Sequence, residues 1–187
     1  MSAIGVIRVS GPDAIELITR LFTGKSSLQT VASHSVHYGT IFDPKTREPI
    51  DDVMVTVFKE PKSYTGEDLV EISCHGNPLL IDEIIGLIIE QGGRLAQAGE
   101  FTRRALLNGK FDLIQAEAIL DLTTAQSQWA RRNAYYQLAG GLSEKIKKIA
   151  DQLEQVLIQV EANLDFPEDE EWQGLEGIKD QISRIKN

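Results

Sequence analysis

The sequence predicts an N-terminal α+β or α/β domain over residues 1–110, followed by an incomplete long-helix bundle segment over 111–187. Three observations carry this. The first half holds short runs rich in Val and Ile, separated by turns punctuated with Gly and Pro, as strands are. Two apolar helical stripes interrupt those runs, one after Pro12 and one after Pro78. From Asp112 onward the apolar residues step by three and four, the period of a helix.

Composition narrows the function classes. With 187 residues, 42% hydrophobic and 25% charged, the chain suits one medium domain and an appendage. The net charge of −9 lacks the electrostatic footprint of a protein that grips nucleic acid by itself, although a local basic patch stays open. No run of ~18 apolar residues is present for a membrane span. The start, MSAIGVIRVSG, has neither the charged nor the long apolar region of a signal peptide. One cysteine, Cys74, excludes an intrachain disulfide and fits a reducing, cytoplasmic setting.

Taken in order, Ala3 to Val9 reads as a strand, with Arg8 polar between Ile7 and Val9. Ser10 or Gly11 precedes a helix whose first turn takes Pro12 and whose stripe is Ile15, Ile18, Leu21 and Phe22. TGKSS, 23–27, ends it. This is not a phosphate-binding loop: Thr19 stands where the first glycine has to be, and the segment follows a helix. His34–Thr40 and Val53–Phe58 read as an antiparallel pair joined by a polar loop. His34 and His37, three apart on a strand, point to opposite faces and make a poor metal site.

PKSYTGED, 61–68, is a turn leading into the strand LVEIS, 69–73. Glu71 is anomalous there. It lies either on a solvated sheet face or as a placed acceptor for a ligand. CHGNP then leads to a buried helix bearing Leu80, Ile84, Leu87 and Ile88, stopped by Gly92-Gly93. Cys74 next to His75 is no nucleophile pair by itself, since sequence neighbours seldom face each other. RLAQ, 94–97, reads as a short strand, and GEFTRRALLNGK, 99–110, as a short helix with Lys110 just past its end. One helix is expected from Asp112 to about Leu138, and a second from Leu142 to Leu164 whose stripe needs a partner. An acidic loop, DFPEDEEW, and an amphipathic piece with Leu175, Ile178, Ile182 and Ile185 close the chain.

GVIRVSGPDA, SYTGEDLVEISCHGNP, GEFTRRALLNGKFDLIQAEAILDLTTAQS and VEANLDFPEDEE, in that order, resemble the tRNA modification GTPases of the MnmE/TrmE family over nearly the whole chain. The resemblance implies a tetrahydrofolate-binding N-terminal domain with a mixed sheet of about five strands and two packed helices, then part of a helical domain. It implies 5-formyl- or 5,10-methylene-tetrahydrofolate as one-carbon cofactor, a homodimer through the N-terminal domain, and a flavin-dependent partner of the MnmG/GidA family. Together these modify carbon 5 of the wobble uridine in certain tRNAs. Carried over by motif, the folate contacts are Arg8, Glu71 and Lys110: a pterin edge donates to a carboxylate, and the ring carbonyl and glutamyl tail meet cationic donors. The alternative is that Arg8 and Glu71 merely pair across the sheet. GTP, Mg and K belong to a GTPase domain, and a catalytic cysteine with a further lysine to a C-terminal segment, neither of which this sequence contains. Cys74 does not match that cysteine. The expectation is therefore a part of a larger enzyme, beginning inside the family's first strand and with no catalytic residue of its own. The competing reading is a dimerisation and docking scaffold without independent folate affinity.

Overall fold

The computed structural model describes residues 2–165 and, beyond them, 177, 179, 182 and 183. The chain divides into two compact units, Met1–Phe111 and Asp112–Asn187.

The first unit is built on five strands: β1 (Ile4–Ser10), β2 (Phe22–Gly24), β3 (Ser35–Phe42), β4 (Pro49–Phe58) and β5 (Leu69–His75). Their order in the sheet is β1-β5-β4-β3-β2, and every pairing is antiparallel. Here the structure departs from the mixed sheet expected. The helix α1 (Ala14–Leu21) connects β1 to β2, but those two strands lie at opposite edges. The strand–helix–strand passage therefore makes no parallel neighbours.

One sheet face is covered by α1 and by α2 (Pro78–Glu90), while a shorter helix, α3 (Glu100–Leu107), follows. Ile18, Leu21 and Ile84 from the helices join Val53, Val55 and Ile72 from the sheet in the core, each at most 1% exposed. Asn77 starts α2 by accepting from the Leu79 N–H at 3.0 Å, ahead of a proline at the first helical position. Gly39 has to be glycine: a Cβ there would stand 2.3 Å from the Thr23 carbonyl and 2.4 Å from the Phe22 ring.

The other sheet face carries, in successive cross-strand rows, Val6–Ser73–Met54–Tyr38 and Arg8–Glu71–Thr56–Val36. Val6 and Tyr38 are 61% and 65% exposed. Two further differences are local. Phe22–Gly24, expected to be only a helix end, pairs with β3 as an edge strand. Residues 94–97, expected to be a strand, have no strand partner among the described residues.

The second unit contains α4 (Leu113–Thr124), α5 (Gln128–Leu138) and α6 (Gly141–Asp165). Asp112 and Gln115 cap α4 reciprocally, at 2.8 and 3.0 Å. The single helix expected over 112–138 is two. The hydroxyls of Thr123 and Thr124 both donate to the Leu120 carbonyl at 2.9 Å, and Ser127 caps the next helix through the Ala130 N–H. Gln115 Nε2 then donates to the Leu138 carbonyl, tying the start of α4 to the end of α5. On α6, Ile146, Ile149 and Leu153 of the expected stripe are exposed. The acidic segment after Asp165 and nearly all of the last amphipathic piece fall outside the described residues.

Candidate functional site: an arginine–glutamate pair under the TGED loop

Arg8 and Glu71 stand directly opposite each other on β1 and β5. Arg8 donates from Nε at 2.8 Å and from Nη2 at 2.6 Å, both to Glu71 Oε1. Among the described residues no hydrogen bond reaches Oε2. The guanidinium also lies against two aromatic rings, 5.1 Å from the Tyr64 centroid and 5.6 Å from Phe101. Tyr64 is fixed in turn by its hydroxyl, 2.8 Å from Thr102 Oγ1, and by an edge contact with Phe111. Arg8 and Glu71 remain partly open, with 38% and 26% of their side chains exposed.

Lys110 does not join the pair directly. Its Nζ donates to the Pro61 carbonyl at 3.0 Å, at the start of the 61–68 loop. The loop passes beneath it. Gly66 has φ +81°, and a Cβ there would lie 3.1 Å from Asn108 and 3.4 Å from Lys110, so glycine serves both the backbone and the close approach. Asn108 Nδ2 donates to the Thr65 carbonyl at 2.8 Å.

A second layer holds this loop. Thr65, fully buried, and Ser10 share a 2.6 Å hydroxyl contact, and Ser10 donates to Glu67 Oε2 at 3.0 Å. Arg104 Nη1 donates to both Glu67 oxygens at 3.0 and 3.1 Å, while its Nε and Nη2 reach Glu100 at 3.1 and 3.0 Å. Glu100 also accepts from Arg94 and from the Gln97 N–H. Its carboxyl is held far below the usual range, first by the Arg94 guanidinium and then by that N–H. A cavity of about 500 Å³ runs beside this layer, lined by Arg8, Ile81, Ile85, Leu95, Phe101 and Arg104 among others. Arg8 alone of the three expected contacts borders it.

Sequence reasoning singled out Arg8, Glu71 and Lys110 but not Tyr64, Phe101, Glu67, Glu100 or Arg104. For Glu67, Glu100 and Arg104 the signal was the clustering of polar residues in TGED and GEFTRR, and only the fold shows that the two segments meet. The other candidates have local partners. His37 Nε2 is 2.7 Å from Ser35 Oγ, and His34 packs edge-on to Phe58. His75 Nδ1 is 2.7 Å from Asp51, while Cys74 is buried with Sγ 3.6 Å from the Gly5 carbonyl.

An antiparallel sheet backed by two helices, a charged pair under a Gly-bearing loop and a following helical unit together define a class. Residues 1–110 match the family model for the N-terminus of the GTP-binding protein TrmE, and residues 113–187 match that for the MnmE helical domain. The chain belongs to the MnmE family of tRNA modification GTPases. It is 46% identical over 166 residues to the tRNA modification GTPase MnmE of Staphylococcus aureus (strain bovine RF122 / ET3-1), covering 89% of this chain and 36% of that protein. Against the same enzyme of Staphylococcus haemolyticus it is 43% identical over 187 residues, covering 99% of this chain and 41% of the relative. The chain thus spans about two fifths of the length of these curated relatives. No helix among its described residues is long and apolar enough to cross a membrane.

Proposed function

We propose that this chain is the tetrahydrofolate-binding, dimer-forming part of a cytoplasmic tRNA modification GTPase. In this reading the complete enzyme works with a flavin-dependent partner on the wobble uridine of certain tRNAs. GTP, with its Mg and K, is handled by a domain outside these residues. The folate, when bound, supplies the one-carbon unit.

The observation that carries the reading is the Arg8–Glu71 pair. Two opposed charges on an open sheet face, beside two aromatic rings, fit a planar heterocycle with both donors and acceptors. Glu71 has Oε2 available for a ring N–H, whereas Oε1 already accepts twice from Arg8. Arg8 is a donor for a ring carbonyl, and Tyr64 and Phe101 give it a rigid seat. Lys110, whose ammonium donates to the Pro61 carbonyl at the start of the loop, is the cation this reading assigns to the glutamyl carboxylates. Calorimetric titration with 5-formyl-tetrahydrofolate tests this. Binding by the parent chain that is lost in Glu71→Ala and weakened in Arg8→Ala is expected. A folded chain that binds nothing, or a Glu71→Ala variant that binds as the parent does, refutes it.

The exposed row Val6, Met54 and Tyr38 favours a second reading, an assembly scaffold that pairs through this unit and has no folate affinity. Sedimentation of Val6→Glu beside the titration separates the two. Loss of a dimer in a chain that never bound folate supports the scaffold.

A further inference from the structure

The second unit bears a surface whose charge runs against the rest of the chain. Between Gln128 and Lys148 lie Arg131, Arg132, Lys145, Lys147 and Lys148 against a single acid, Glu144, a net of +4. The whole chain is −9, so everything else sums to −13. On α5 there is no acidic residue at all. A polyanion approaching this molecule meets a favourable potential here and repulsion over much of what remains.

The basic residues are interleaved with exposed rings. Trp129, Tyr135 and Tyr136 are 75%, 63% and 47% exposed. At about 100° per residue, Arg131, Tyr135, Gln128, Arg132, Tyr136 and Trp129 follow one another across an arc of roughly 160°. All six are exposed, whereas Ala134, on the opposite side, is buried. Each tyrosine lies one turn after an arginine, Tyr135 after Arg131 and Tyr136 after Arg132, so cation and ring share a face. The start of α6 extends the patch: Lys145 Nζ is 5.7 Å from the Tyr136 ring centroid, and the Tyr136 hydroxyl donates to the Gly141 carbonyl at 3.0 Å.

A face meant for another helix carries aliphatic residues, as the Ile146, Ile149 and Leu153 stripe of α6 does. A face meant for an acidic protein needs the cations but not three flat rings. Rings for bases and cations for phosphates, side by side, are what an unpaired nucleic acid strand requires.

We infer that the α5 face and the first turns of α6 form a contact surface for a single-stranded stretch of RNA. Trp129, Tyr135 and Tyr136 stack on bases, and Arg131, Arg132, Lys145 and, one turn further on α6, Lys148 meet phosphates. The surface stands on charge and exposure alone. The choice of RNA over DNA rests on the tRNA-modification reading above.

The test is fluorescence anisotropy of the full chain with labelled oligouridine, beside the matching deoxyoligonucleotide. With four phosphates neutralised at a slope of about −0.7 each, affinity for the RNA falls roughly fiftyfold between about 50 and 200 mM salt. Replacing both arginines, R131A with R132A, reduces the slope to about −1.4. Trp129→Ala weakens binding about fivefold or more and removes the quenching of tryptophan emission that accompanies it. Lys25→Ala, in the other unit, leaves binding unchanged. No binding at the lower salt, or binding indifferent to the α5 substitutions in chains whose circular dichroism matches the parent, overturns the surface. Equal affinity for the deoxyoligonucleotide overturns the assignment to RNA. Folate titration of the parent chain beside R131A/R132A keeps the two readings apart: a parent that binds RNA but no folate sinks the folate site and leaves this surface standing.

Discussion

Ser10 and Thr65 offer a test of how the 61–68 loop is held. Ser10 has one proton, and its 3.0 Å bond to Glu67 Oε2 uses it. In the 2.6 Å contact between the two hydroxyls, Thr65 is therefore the donor. Ser10→Ala leaves that O–H stranded at a position with no solvent exposure, at a cost of about 1–3 kcal/mol. Thr65→Val removes the donor and the weak 3.4 Å acceptor of the Glu67 N–H, but leaves Ser10 with an intact bond to Glu67, so it costs less, about 1 kcal/mol. In the double variant neither hydroxyl is stranded, and the loss of the long 3.4 Å bond from the Glu67 N–H is already counted in Thr65→Val, so its cost falls short of the sum by about 1 kcal/mol. Urea unfolding followed by circular dichroism reads this directly. At a slope of about 2 kcal/mol per molar, Ser10→Ala moves the midpoint down by roughly 1 M with the slope unchanged. Equal costs for the two single variants, or additivity within about 0.3 kcal/mol, would refute the assigned direction of the bond.

Two other outcomes follow from the titratable groups. Glu100 has a folded-state pKa depressed by Arg94, the Gln97 N–H and Arg104, so its contribution to stability is present above its ordinary value of 4.5 and is lost as pH falls below it; urea midpoints measured across that acid range should decline in the parent and decline less in Glu100→Gln. Burial, with Asp51 nearby, pushes the Cys74 thiol up, so a thiol reagent at mildly alkaline pH should react slowly with the native chain and rapidly once urea unfolds it.

The strands with a clear alternation were legible in the sequence because burial on one face leaves a period of two. Val53, Val55 and Val57 are all buried in the core, as that pattern requires. What the pattern does not contain is a neighbour. Residues 94–97, read as a short strand, stay irregular, since a strand is completed by its partner's hydrogen bonds. The strand β2 was hidden for the opposite reason: three residues are too few to show a period, and pairing with β3 makes them one. The break after Thr124 carries no Gly or Pro, only threonine hydroxyls and a serine cap, both of which are common inside longer helical patterns. At the site, Arg8 and Glu71 each stood out singly as charge among apolar residues. That they face each other depends on a register between strands 63 residues apart. The link from Glu67 to Arg104 spans 37 residues and had no counterpart in any local pattern.

The position of β1 at the sheet's edge has a consequence for how the chain is made. Its one strand neighbour among the described residues is β5, and 59 residues separate Ser10 from its partner Leu69. At a synthesis rate of about 5–20 residues per second, a nascent β1 waits roughly 3–12 s for the segment it pairs with. During that interval Ile4, Val6, Ile7 and Val9 form a short β-prone run relieved by one charge, Arg8. On a crowded ribosome such a strand is a template for its own copies on neighbouring nascent chains. Arg8, later the partner of Glu71, is thus also the residue that interrupts this run while the protein is still being born.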